Sequence, residues 1–106
     1  MPGTQRDAVA IQRPVYIVCE QDSILILPER GTTQELETFR HRGNVNSVVD
    51  AFVDSVQSRI ETWGIAGQGI YWKPVLQVQV NPNSDVAYRQ LMLLLDDSGI
   101  EVTREP

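Results

Sequence analysis

The stretch VLQVQVNPNSDVAYRQLMLLLDDSGIEVTR, from Val75 to Arg104, carries a boundary signal at every change of structure. Leu76, Val78 and Val80 alternate with Gln77 and Gln79, which predicts a strand with one apolar and one polar face. Pro82, within Asn81-Pro82-Asn83, has no amide hydrogen to give a ladder and ends that strand. Ser84 stands where a helix N-cap belongs, and Asp85 sets a negative charge against the positive end of the helix dipole. Tyr88, Leu91, Met92 and Leu95 then recur at helical spacing. Gly99 suits a left-handed residue past the helix end, and Ile100 to Thr103 alternates as a second strand. The stretch predicts a β-α-β unit.

Upstream, residues 1–13 are polar and mixed and are expected to be a flexible leader. Pro14 introduces Val15-Tyr16-Ile17-Val18-Cys19, an apolar run rich in β-branched residues. Glu20-Gln21-Asp22 links it to Ser23-Ile24-Leu25-Ile26-Leu27, and so short a link predicts an antiparallel hairpin. Residues 29–46 read as an irregular insertion. Within it, Thr32-Thr33-Gln34-Glu35 has the form of a capping box, with Leu36 and Phe39 able to anchor a helical turn; an edge strand is the alternative. From Ser47 to Trp63, Val49, Phe52, Val53, Val56, Ile60 and Trp63 form one helical stripe, opposed by Asp50, Asp54, Ser58 and Glu61. Asn46 or Ser47 is expected to cap this helix and Gly64 to close it. The order β-β-α-β-α-β predicts one α+β domain over 14–106, a two-layer sandwich with two helices on one face of a mixed sheet.

The formal charge of −5 disfavours unselective nucleic-acid binding, which requires a basic surface. No uncharged apolar run approaches the ~20 residues that span a bilayer. Cys19 is the single cysteine, so no intramolecular disulfide forms, and its apolar setting points to a packing role. Neither a metal nor a cofactor is expected.

The residues that invite a chemical reading fall into small groups. Arg40, His41 and Arg42 form a basic cluster able to hold a phosphate or carboxylate, although a solvated loop would look the same. Asp96 and Asp97 point about 100° apart on a helix and do not make an acid/base pair. Asp50 and Asp54 share a helix face but have no glycine-bearing calcium loop beside them. Gly64, Gly67 and Gly69 follow a helix and precede a strand, the reverse of a phosphate loop. Tyr71 and Trp72 are candidates for an exposed contact surface, as are Gln77 and Gln79 on the open sheet face. No nucleophile, base and orienting group come together, so no catalytic residue is assigned and an enzyme is not expected.

The segment Val80-Asn81-Pro82-Asn83-Ser84-Asp85-Val86-Ala87-Tyr88 resembles the soluble periplasmic domain of the ExbD/TolR biopolymer-transport family. Asp85, Val86, Tyr88, Gly99 and Ile100 match that family's strand, acidic turn, Asp-Val-x-Tyr helix start, later glycine and final strand. The likeness runs from about Val15 to Glu105. Asn83 departs from it, standing where the family usually has aspartate. The insertion at 29–46 departs too, and so does the absence here of a transmembrane helix with its proton-coupling aspartate. The resemblance implies a periplasmic adaptor domain that dimerises and contacts a protein partner, and that reaches the membrane only through a segment outside this chain. The alternative is a stand-alone cytoplasmic anion-binding or regulatory domain using Arg40, His41 and Arg42. Under the first reading a homodimer through a free sheet edge is expected.

Overall fold

The computed structural model describes residues 8–105. Among these residues, β1 (Val9–Cys19), β2 (Ser23–Ile26), β3 (Glu37–Arg40), β4 (Ile70–Val80) and β5 (Glu101–Arg104) form one sheet in the order β3-β2-β1-β4-β5. Helix α1 (Val49–Glu61) connects β3 to β4, and α2 (Asp85–Leu95) connects β4 to β5. The β1–β2 and β2–β3 pairs are antiparallel; β1–β4 and β4–β5 are parallel.

Register decides which face is the core. Val15, Ile17 and Cys19 stand opposite Leu76, Val78 and Val80, while Ile26 and Ile24 stand opposite Ile17 and Cys19. With a side-chain period of two, all of these point to one side. All but Val80, which packs partly buried against them, join Phe52 and Val56 of α1 and Ala87, Leu91 and Leu95 of α2 in one buried cluster, so both helices cover the same face. Two parallel crossovers stepping the same way across the sheet, β3 to β4 and β4 to β5, require this if they share a hand. The fold is the expected α+β sandwich on a mixed sheet, with one strand more than the expected order.

That extra strand, β3, lies inside the segment read as irregular. Thr32 and Gln34 do not open a helix. The Thr32 hydroxyl donates to the Glu29 carbonyl (2.7 Å) and the Gln34 side-chain Oε1 accepts the Glu29 N–H (3.0 Å), closing a polar turn. The chain then runs extended. Phe39, paired with Ile24, meets Phe52 edge-to-face at 5.8 Å.

Helix boundaries agree better than their caps. Val48 is the N-cap of α1 and has no side-chain bond, while the Ser47 hydroxyl turns back to the Asn44 carbonyl. Ser84 is the N-cap of α2, but its buried hydroxyl makes no capping bond. Asp85 instead pairs with Arg104 at 3.1 Å. Gly99 has φ +78°, the left-handed conformation expected of it.

The second difference concerns β1, which begins at Val9 rather than Pro14. Val9 N–H donates to the Gly69 carbonyl and Cys19 accepts from Asn81, so odd-numbered residues of β1 face β4. Leu27 N–H donates to the Tyr16 carbonyl, so even-numbered ones face β2. Pro14 therefore directs its missing N–H away from β4 and costs no ladder bond. Pro74 does the same on β4, whose even residues face β5, as the bond from Glu105 N–H to the Val78 carbonyl shows. The part of the expected leader at residues 1–7 lies outside the described residues.

Candidate functional site

The strand lengths leave half of a ribbon uncovered. β1 and β4 pair from Val9–Ile70 to Cys19–Val80, but β2 reaches only Ile17 to Cys19 and β5 only Val75 to Val78. Among the described residues, 9–14 and 70–74 thus form a two-stranded parallel ribbon with no strand outside it. On its β1 edge the N–H and C=O groups of Ala10 and Gln12, and the C=O of Pro14, point outward. Two strands alone are marginal in water, so this ribbon needs an anchor.

Arg13 supplies it. Its guanidinium lies 4.6 Å from the Trp63 ring centroid and 4.8 Å from that of Trp72, and it pairs with Glu29 at 2.7 Å. Glu29 also accepts the Trp63 indole N–H at 2.8 Å, and Trp72 donates to the Gly64 carbonyl at 3.1 Å. The cluster ties the ribbon to the end of α1 and to the loop after β2. The hydrogen bond from Arg13 holds the Glu29 carboxyl below its ordinary range, against the opposing effect of burial. Below the anchor, Arg13, Pro14, Tyr16, Leu27, Pro28, Glu29 and Arg30 line an open groove of about 720 Å³ that continues the line of β2 along the bare edge. Val9 (60% exposed), Tyr71 (49%) and Ile65 (93%) add apolar surface around the ribbon.

The expected contact residues are divided by this geometry. Tyr71 is exposed on the open face with half-buried Gln77 and exposed Gln79. Trp72, one residue on, turns to the helix side and packs against Trp63, so the two do not form one aromatic patch. The three basic residues do not converge either. Arg40 and Arg42 are exposed, whereas His41 is buried at 3% exposure: His41 continues the core-facing side of β3 past Arg40, and Arg42, with φ +52°, turns the chain outward. His41 Nδ1 accepts the Gly43 N–H at 2.9 Å, which places the ring proton on Nε2, and Nε2 is buried without a hydrogen bond. Burial lowers the His41 pKa, while Asp22 and the Glu20 carbonyl oppose that shift.

Cys19 is fully buried and burial pushes its thiol up to about 11, which keeps it protonated. Among the described residues, no three His, Cys, Asp or Glu side chains gather to hold a metal, and no helix is long and apolar enough to cross a membrane. No family model, curated protein or solved structure matches the chain. Arg13 and Glu29 had no signal in the sequence, since their partners lie far along the chain and Arg13 sits in what reads as a leader.

The titrations predict how stability follows pH. The unfolded chain protonates His41 near 6.5, but the folded one resists until lower pH, where a second ring N–H would face the Gly43 donor. Stability is therefore full above pH 6.5 and declines as pH falls through the folded value. Glu29 adds a second decline below 4.5, because its stabilised carboxylate is lost on protonation. Urea midpoints measured from pH 8 to 3 should show both limbs. His41→Gln should flatten the upper one; an unchanged upper limb would show that His41 does not titrate there.

Proposed function

We propose that this chain is a non-catalytic interaction domain that works by strand addition at the bare edge of β1, with a second copy as the partner. The observation that carries this reading is the ribbon at 9–14 and 70–74, held by a dedicated Arg13 anchor and open along one edge. Exposed strand edges are templates for pairing, and natural proteins usually blunt them. Here, among the described residues, Ala10 and Gln12 are left unpaired on that side, and the groove lies at the β2 end of the edge, at Arg13, Pro14 and Tyr16. Two β1 edges meeting antiparallel about a two-fold axis make an isologous dimer with one continuous sheet.

The same reading accommodates the likeness to the periplasmic domains of the ExbD/TolR family, in which case the domain serves as a periplasmic adaptor for a biopolymer-transport partner. Asn83, the departure in the matched turn, has φ +66°, a conformation that asparagine and aspartate both tolerate better than other side chains. The exchange therefore keeps the turn. The anion-binding alternative has lost its constellation, because His41 is enclosed and unavailable to a ligand shared with Arg40 and Arg42.

Gln12→Pro tests the proposal. The substitution removes an N–H that points outward and spares the bonds to β4, so the fold is kept. Sedimentation equilibrium should show a dimer for the unsubstituted chain and a loss of affinity of at least tenfold for the variant, about 1.4 kcal/mol or more. A monomer at millimolar concentration for the unsubstituted chain would refute the reading.

A further inference from the structure

The solvent side of α2 carries a pattern that the fold leaves unused. Ala87, Leu91 and Leu95 bury one side of the helix. On the other, Val86 is 64% exposed and Leu93 is 78% exposed, with Leu94 at 40% beside them. Arg89 and Asp96 flank this apolar strip. Seven residues apart, they lie within about 20° of each other around the helix and two turns apart along it. Both are exposed, and among the described residues neither takes part in an ion pair. Next to Leu93 a hollow of about 260 Å³ is lined by Asn44, Asn46, Gln90 and Leu94. Its wall is fixed where Val45 N–H donates to the Gln90 side chain at 3.3 Å.

We propose that this face docks against the same face of a second copy, α2 packing antiparallel on α2 about a two-fold axis near Leu93. The charges choose the occupant. In an antiparallel helix pair the same flank of each helix meets across the dyad. An axis between residues 92 and 93 then brings Arg89 of each copy to Asp96 of the other, giving two identical ion pairs. Leu93 lies at the centre, against the leucine of the second copy and the hollow beside it. A strip with one basic and one acidic residue two turns apart on one flank is self-complementary, as an isologous contact requires. The net charge of −5 opposes indiscriminate association and leaves such a local match to set the register. One helix pair buries less than about 1,200 Å², so the contact belongs to the weak, reversible class. It is separate from the β1 edge. Together the two contacts would join edge-paired dimers into larger assemblies.

The test uses the full chain carrying Gln12→Pro, which weakens pairing at the β1 edge, so that the charge variants report on α2 whether or not the edge reading holds. Arg89→Asp and Asp96→Arg are each made in this background, and helix content is checked by circular dichroism. Each variant alone sets like charges against each other and should lose self-association in sedimentation equilibrium. An equimolar mixture of the two restores opposite charges at both positions and should recover it, at equal or greater affinity than the Gln12→Pro chain. Leu93→Lys should abolish it in every combination. The proposal is overturned if the Gln12→Pro chain does not self-associate at millimolar concentration. It is also overturned if the single charge variants associate unchanged, or if the mixture behaves like its components.

Discussion

Phe52→Ala is expected to cost about 3–5 kcal/mol, the range for truncating a large buried aromatic. Phe52 is fully buried in the first turn of α1, in one cluster with Ile24, Ile26 and Val56. The cost has two parts: the transfer energy of the lost ring and the cavity that rigid neighbours leave open. Strands β2 and β1 on one side and the α1 backbone on the other restrict collapse into that space. Phe39 also loses the ring it meets edge-on, and β3 is an outer strand with few other apolar contacts. A domain stable by about 5–15 kcal/mol loses a large part of its margin. Urea unfolding should show a lower midpoint at unchanged slope, and native-state hydrogen exchange should quicken first in residues 37–40. A loss under about 1 kcal/mol would show that the core does not close on this ring. Phe52→Leu should retain most of the stability, because it leaves a smaller space.

The parts of this fold that were legible in the sequence are those decided by neighbours in the chain. The unit β4-α2-β5 is punctuated by Pro82, Ser84 and Gly99, each acting within a few residues, and the α1 stripe is read from its own period. The misread segments depend on what lies across the sheet. Pro14 looks like a strand start until the direction of its missing N–H is known, and that direction follows from which neighbour pairs with β1. Thr32 to Glu35 satisfies a capping pattern, but Phe39 gains more by reaching Phe52 from an extended backbone than a helical turn could offer. His41 between two arginines reads as a solvated cluster. Alternation continued from β3 buries it opposite Arg40, and a left-handed turn at Arg42 points the other neighbour outward. The anchor was invisible for the same reason: Arg13 and Glu29 are separated by 16 residues, Glu29 and Trp63 by 34. Charged and aromatic side chains carry no periodic trace of such a meeting.

Arg13→Ala is the second large effect, and it separates the anchor from the edge it supports. The substitution removes a largely enclosed ion pair, its side chains 27% and 23% exposed, and a cation held over two indole rings. A charged hydrogen bond of this kind is worth about 1.5–3 kcal/mol and each cation–π contact about 0.5–1. The terms share one side chain and do not add, so a total near 2–4 kcal/mol is expected. Arg13→Lys should recover only part of it, because an ammonium cannot present a planar face to both rings and a fork to Glu29. The loss should also be local. Amides of Val9, Ile11 and Arg13, which face β4, should exchange faster while those of Ile17 and Val78, deep in the sheet, change only by the global loss. Glu29 loses its main stabilising partner, so the decline of stability below pH 4.5 should shrink. If β1 pairs with a second copy, a frayed ribbon must be ordered again on binding, and the dimer weakens although every outward N–H and C=O is intact. Excess dimer should then protect the same amides in Arg13→Ala, restoring slow exchange at high concentration. Uniform exchange along β1 in the variant at every concentration would show that Arg13 does not hold the ribbon in place.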